Sequence, residues 1–362
     1  MDHRGCLKRL QRELRPNRLD GLLVTHSPNI RYLCGFTGSA GALLISQTLS
    51  FLFTDGRYTE QARAEVQGSR VAITRNSPLV AAAEWLAAKG RKQGLGNLGI
   101  EGEHLSVAER GKLGKILGSG LRLREAPPLV ERARMVKDAN EIDCLRSAVL
   151  LGASLFDRAL EVIRPGVEEV EVAAEMEYAA RRPGAEAMSF ATIIASGERS
   201  ALPHGRASQA AIPSRGFVVC DFGVILAGYC SDMTRTVHVG SPTEESRRMY
   251  AAVRQAQEAA VAVVQAGVTV AEVDQAARNI LKNNKLGQYF THSTGHGVGL
   301  EIHEPPRIAT GQTEVLQPGM VITIEPGAYV PGKGGVRIED MVVVTEHGCE
   351  VLTPTARELI TV

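Results

Sequence analysis

The chain has 362 residues, enough for two domains with full-sized cores. Its 41 basic and 40 acidic side chains leave a net charge of +1, with no basic stripe, which argues against a nucleic-acid partner. No apolar run reaches membrane-spanning length, and the charge-studded residues 1–20 lack the apolar core of a signal peptide. The expectation is a cytoplasmic protein without a membrane partner. The six cysteines (Cys6, Cys34, Cys144, Cys220, Cys230 and Cys349) are scattered, form no C-x-x-C pair, and read as reduced thiols.

Residues 1–125 alternate between α and β patterns. A charged helix comes first. Residues 19–25 read as a buried strand, and 42–45 and 50–54 as two more around a polar turn. A helix opens at Asp55-Gly56-Arg57 and runs through Ala64, a strand follows at 71–73, and a helix spans 79–89. That order predicts an α/β layer domain. No phosphate-binding glycine fingerprint interrupts it, and Asn29, Arg31 and Arg57 read as surface or capping residues. Ala126-Pro127-Pro128 is the expected linker, because proline stops both helices and central strands. The predicted domains are therefore 1–125 and 126–362.

Beyond the linker the apolar residues Ile142, Leu145, Val149, Phe156, Leu160 and Ile163 recur at helical spacing, until Arg164-Pro165-Gly166 stops the helix. An internal repeat then appears. Gly166-Val167-Glu168-Glu169-Val170-Glu171-Val172 matches Gly267-Val268-Thr269-Val270-Ala271-Glu272-Val273 at Gly-Val-x-x-x-Glu-Val. Each copy follows a long amphipathic helix, 138–163 or 243–265, and opens another. Thr269 and Glu272 have capping-box spacing.

The acidic residues follow the same repeat. Phe217-Val218-Val219-Cys220-Asp221 is an apolar strand ending in a carboxylate, and Gly228 allows the chain to fold back and bring Asp232 beside it. Met320-Val321-Ile322-Thr323-Ile324-Glu325 is again an apolar strand ending in an acid, and Glu339 follows after the turn Pro331-Gly332-Lys333-Gly334-Gly335. An apolar strand that runs into an unpaired acid buries a charge at a cost of several kcal/mol. Four such acids converging require a cation. Between the two pairs lies His292-Ser293-Thr294-Gly295-His296-Gly297-Val298-Gly299-Leu300-Glu301-Ile302-His303-Glu304, whose glycines allow tight turning and close backbone approach. Carboxylates with imidazole suit Mn²⁺, Co²⁺ or Zn²⁺, and four acids exceed the needs of one catalytic zinc, so two metals sharing carboxylates are expected. Pro203-His204-Gly205, ahead of the first acidic strand, reads as lining the same site.

Together Pro203-His204-Gly205, Ser231-Asp232-Met233-Thr234-Arg235-Thr236, the His292 to His303 stretch, Thr323-Ile324-Glu325-Pro326-Gly327 and Val336-Arg337-Ile338-Glu339-Asp340 resemble the pita-bread metallopeptidases, in their proline-specific branch of aminopeptidase P and prolidase. Asn29-Ile30-Arg31-Tyr32-Leu33-Cys34-Gly35-Phe36-Thr37-Gly38 resembles the creatinase-type N-terminal domain. The resemblance implies an α/β N-terminal domain followed by an α+β pita-bread domain with a pseudo-two-fold repeat. It implies a dinuclear site of Asp221, Asp232, His296, Glu325 and Glu339, bridged by Asp232 and Glu339, with Mn²⁺ the family's usual metal and Co²⁺ or Zn²⁺ alternatives. Glu325 would also relay a proton. His204, His292 and His303 would contact substrate, with Arg337 behind them. The implied activity is that of an Xaa-Pro aminopeptidase on peptides with proline in second position. The alternatives are an Xaa-Pro dipeptidase, sharing every motif, or a non-catalytic binding module. Homodimers are common in the family, which implies one here.

Overall fold

The short apolar runs of the first part of the chain pair into one mixed sheet. In the computed structural model, which describes residues 1–362, that sheet belongs to a compact unit Met1–Arg134, and a second unit spans Met135–Val362. Helix α1 (His3–Leu14) is N-capped by Asp2. The strands are β1 (Gly21–Val24), β2 (Gly41–Ser46), β3 (Ser50–Asp55), β4 (Arg70–Thr74), β5 (Asn97–Glu101) and β6 (Arg122–Ala126), in the order β4-β3-β2-β1-β5-β6. β2 runs antiparallel to both neighbours and the other pairs are parallel. Four helices, α2 (Ser27–Cys34), α3 (Thr59–Glu65), α4 (Pro78–Trp85) and α5 (Val107–Leu117), connect the strands. The helix expected over 79–89 is divided, because α4 passes into a π-helical turn at Leu86–Gly90.

Ala126 ends β6, and Pro127 and Pro128 separate it from the next helix, α6 (Leu129–Met135), but the compact unit runs on to Arg134. The cause is polar and buried. Asn29 is fully buried rather than a surface or capping residue. Its amide donates to Glu101 (2.7 Å) and to Glu131 (2.6 Å), and its oxygen accepts from Arg134 (2.7 Å). These bonds tie α6 to α2 and β5. Arg57 does lie on the surface, paired with Asp55.

The second unit builds each of its halves the same way. The first half contains α7 (Ala139–Val162) and α8 (Glu169–Arg181), then β7 (Ala187–Met188), β8 (Ile193–Ser196), β9 (Gly216–Phe222), β10 (Val224–Leu226), β11 (Tyr229–Cys230) and β12 (Met233–Val239). The second contains α9 (Glu244–Val263) and α10 (Val270–Asn283), then β13 (Gly295–Gly297), β14 (Glu304–Ile308), β15 (Val321–Ile324), β16 (Gly327–Val330), β17 (Gly334–Arg337), β18 (Asp340–Thr345) and β19 (Gly348–Val351). In each half two helices pack on a sheet around a core of its own. Leu155, Phe156, Val172, Met176, Val218 and Val237 mark the first, and Val253, Val273, Leu281, Ile322, Val342 and Val344 the second.

The repeat is visible in the hydrogen bonds. Gly166 N donates to Ile212 O (2.9 Å) and Ile212 N to Val167 O (2.8 Å), while Gly267 N donates to Leu316 O (2.9 Å) and Leu316 N to Val268 O (2.8 Å). Both glycines sit at φ 87°. The long antiparallel ladders also match. β9 pairs with β12 and β15 with β18, and each ladder carries a smaller hairpin between its strands, β10–β11 or β16–β17. The fold back at Gly228 is therefore two structures. A tight turn at Ala227 and Gly228, both with positive φ, closes the inner hairpin, and the outer ladder places Asp221 opposite Thr234.

Charges cross between the halves. Arg235 in β12 is fully buried and donates to Asp340 Oδ1 (2.7 Å), Thr355 O (2.6 Å) and Ala356 O (2.9 Å). Asp340, also fully buried, accepts from Gln257 (2.7 Å) and Arg357 as well. Breaking a buried pair by removing one partner typically costs about 3–5 kcal/mol, because the other charge is stranded. Asp340→Ala is expected to destabilise the protein by about that amount, read as a lowered midpoint in denaturant unfolding, whereas Glu245→Ala, which breaks an exposed pair with Lys333, should leave the midpoint essentially unchanged.

Candidate metal centre and active site

The two ladders deliver the acids. Asp221 is the penultimate residue of β9 and Asp232 directly precedes β12. Glu325 directly follows β15 and Glu339 directly precedes β18. Side chains at such positions leave the apolar interior where the paired strands end, so the repeat brings two acids from each half to one place. His296 comes from the middle of β13, which lies between β14 and β15. That strand is the reason for the glycines around the histidine. A Cβ at Gly295 would lie 1.9 Å from Thr323 O, and one at Gly297 would lie 2.2 Å from Pro305 O. Neither residue has positive φ. Close packing of three backbones requires them here, and no tight turn is formed.

Asp232, His296 and Glu339 each offer a ligand atom within 4.8 Å of the others. His296 Nε2 lies 3.6 Å from Asp232 Oδ2 and 3.4 Å from Glu325 Oε1. Asp221, Asp232 and Glu339 are buried, and Glu325 partly. Thr234 donates its hydroxyl to Glu339 (2.7 Å), and Thr323 donates to Glu325 (3.3 Å). Asp221 is paired with Arg337.

The electrostatics record the crowding. Burial raises the Asp232 carboxyl well above its usual range, and the charges of Glu339, Asp221 and Glu325 raise it further. Burial, then Glu325 and Asp221, do the same to Glu339. Burial raises Glu325 to about 8 while Arg337 opposes the shift. Burial also lowers His296 to about 4, so its ring is neutral. His296 Nδ1 lies 2.9 Å from Gly297 O, a bond only the Nδ1–H tautomer can donate, so the lone pair on Nε2 faces the acids. Oxygen-rich donors, one neutral imidazole and too little positive charge fit a divalent cation site. With Asp221 and Glu325 added to the three-residue cluster, the donor set is large enough for a pair of ions.

The remaining residues form the rim. Arg337 donates to Thr234 Oγ1 (3.0 Å), to Pro203 O (3.0 Å) and to Tyr329 OH (2.6 Å). Tyr329 OH lies 3.0 Å from His292 Nε2, and His292 Nδ1 lies 2.8 Å from Ser293 O. Arg337 fills a lone pair of the phenol and the carbonyl fixes Nδ1 as a donor. The phenol proton therefore points to His292 Nε2, and both ring nitrogens of His292 are engaged within the chain. Burial and the charge of Arg337 lower His292 to about 4. His303 packs its ring on His296 with centroids 4.5 Å apart, and its residue is exposed. His204 is exposed too, and close enough that its charge is felt by His292 and His303. Sequence reasoning missed Tyr329, Thr234 and Thr323. The two threonines stood inside quoted motifs. Tyr329, four residues beyond Glu325, had no signal of its own.

Residues 143–346 match metallopeptidase family M24, and residues 7–136 match the creatinase/prolidase N-terminal domain. A solved Xaa-Pro dipeptidase from Bacillus anthracis is 40% identical, covers 100% of both chains and superposes with a TM-score of 0.95. The Xaa-Pro dipeptidase of Pyrococcus horikoshii is 39% identical over 95% of this chain and 95% of its own. An X-Pro aminopeptidase structure from Thermotoga maritima is 36% identical, with a TM-score of 0.88, over 97% of this chain and 100% of that one. The fold, the repeat and these matches make the chain a member of metallopeptidase family M24, a peptidase with a creatinase/prolidase N-terminal domain.

Proposed function

We propose that the chain is an Xaa-Pro dipeptidase, cleaving the bond between an N-terminal residue and a C-terminal proline with two divalent cations, Mn²⁺ in the first place and Co²⁺ or Zn²⁺ as alternatives. The observation that carries the catalytic part is the convergence of Asp232, His296 and Glu339 within 4.8 Å, with Asp221 and Glu325 beside them. The sequence alone put the aminopeptidase first. Full-length likeness to Xaa-Pro dipeptidases from Pyrococcus horikoshii, Pyrococcus furiosus and Bacillus anthracis favours the dipeptidase, and the aminopeptidase stays as the second reading because of the Thermotoga structure.

In this reading Asp221, Asp232, His296, Glu325 and Glu339 would hold the cations. A divalent pair in such a site supplies Lewis acidity, polarising the scissile carbonyl and making water a nucleophile at neutral pH. Glu325 takes the proton of the attacking water and passes it toward the prolyl nitrogen that leaves. His204 and His303, both exposed at the rim, bind substrate oxygens. His292 reaches substrate by exchanging its bond to Tyr329. Arg337 holds Asp221 and Tyr329 in place. A homodimer, as the family resemblance implies, belongs to the same reading.

Two tests follow. Metal-loaded protein given Ala-Pro and Ala-Pro-Ala at equal concentration should release alanine at least about tenfold faster from the dipeptide, a difference of about 1.4 kcal/mol in the barrier. Preference for the tripeptide would establish the aminopeptidase instead. Asp232→Ala should lower kcat more than the roughly 10–100-fold typical of removing a group behind the ligands, and near-normal turnover in that variant would refute the ligand assignment.

A further inference from the structure

Two buried acids outside the proposed ligand set stand in comparable places in the two halves. Glu169, the first residue of α8, and Asp274, in the second turn of α10, are both completely buried. Glu169 accepts from Ser196 N (2.7 Å), Ser196 Oγ (2.9 Å) and Ser208 Oγ (2.8 Å), so one carboxylate closes both ends of the loop that carries His204. Asp274 accepts from Thr294 N (3.2 Å), Thr294 Oγ1 (2.7 Å) and Thr310 Oγ1 (2.6 Å), closing both ends of the segment that carries His296 and His303.

Each acid also holds an arginine that reaches onward to a backbone carbonyl at or near a histidine. Arg199 Nε lies 3.0 Å from Glu169 Oε2, and its Nη2 donates to Arg206 O (2.8 Å), two residues beyond His204. Arg278 Nε lies 2.7 Å from Asp274 Oδ2, and its Nη2 donates to the carbonyl of His292 itself (2.6 Å). The guanidinium of Arg278 also lies over the Phe290 ring, 4.4 Å from its centroid, and that ring packs edge-on against His292. Glu169 and Asp274 are 105 residues apart, whereas the glycines of the repeat are 101 apart, so the two halves reach the same arrangement from different helix positions.

We propose that Glu169–Arg199 and Asp274–Arg278 are two positioning pairs that fix the histidine segments of the active site in the geometry the reaction needs. The proposal rests on the peptidase reading above. A carboxylate that accepts from both ends of a segment keeps it from widening, and its arginine pins a carbonyl of the backbone that carries a histidine, that of His292 for Arg278 and that of Arg206, two residues past His204, for Arg199. The effect is on orientation: a displacement of about 1 Å in a reacting group can cost on the order of 10²-fold in rate. Neither pair touches the metal ligands' carboxylates, so metal binding should survive their loss.

The test uses the metal-loaded full chain with Arg199→Met and Arg278→Met, the lysine variant at each position, and Arg158→Met as a control that removes a partly exposed guanidinium paired with Glu161 and Glu175. Both methionine variants should lose roughly 10–100-fold in kcat on Ala-Pro, with KM and metal content per chain within about twofold of wild type. Lysine should restore part of the loss, and Arg158→Met should match wild type. In metal-free protein, imidazole NMR should show His292 shifted by Arg278→Met and His204 shifted by Arg199→Met, each without the other. Wild-type kcat in the folded methionine variants, a loss that tracks missing metal, or unmoved imidazole resonances would overturn the proposal. If the methionine variants do not fold, Ser208→Ala and Thr310→Ala, which remove one anchor and keep each ion pair, must show the same split of kcat from KM. If wild type cleaves neither Ala-Pro nor Ala-Pro-Ala, the peptidase reading fails, and the NMR arm still decides whether the pairs set the rings.

Discussion

Negative charge gathered out of water is the constraint on which the catalytic unit depends. Asp221, Asp232, Glu325 and Glu339 converge where buried strands end, and Arg337 is the guanidinium set among them. Burial and mutual repulsion drive Asp232 and Glu339 toward the protonated form. Several local features answer this one problem. Arg337 neutralises Asp221, the hydroxyls of Thr234 and Thr323 satisfy oxygens on Glu339 and Glu325, and His296 turns a lone pair toward the acids. A divalent ion is the group that removes the remaining cost, because it favours the ionised form of every carboxylate at once.

The duplicated architecture explains how the acids come to one place. Each half ends a long antiparallel ladder in two acids and closes it through an inner hairpin. The halves are then joined through two buried charges, Arg235 to Asp340, and through Thr236, whose hydroxyl donates to Arg337 O (2.9 Å) and accepts from Arg337 N (3.1 Å). Stability and site geometry therefore share residues. Arg235 donates to Thr234 O (2.9 Å), Glu339 N donates to the same oxygen (3.1 Å), and Glu339 is a proposed ligand.

Much of this was legible in the sequence because the signals are local. An apolar run that ends in an acid, a Gly-Val-x-x-x-Glu-Val repeat with matching helices, and three histidines within twelve residues all fall inside short windows. What escaped depends on contacts between distant residues. Asn29 looked like a surface residue, yet it binds Glu101, Glu131 and Arg134, 72 to 105 positions away, and these bonds carry the first compact unit past its prolines. The glycines around His296 were legible as important but not for their reason, which is the approach of Thr323 and Pro305 backbones from neighbouring strands. Tyr329 and the pairs Glu169–Arg199 and Asp274–Arg278 carry no motif. The choice between dipeptidase and aminopeptidase was not written in the motifs either, since every motif read from the sequence fits both, and full-length likeness shifted it.

We propose that the convergent acids bind two divalent ions. The direct measurement is calorimetric titration of chelator-treated, metal-free protein with Mn²⁺, with the melting temperature followed in parallel. Binding should saturate at two ions per chain, with a rising melting temperature as the folded state takes up the metal. No uptake, with a melting temperature unchanged by Mn²⁺, Co²⁺ or Zn²⁺, would contradict it.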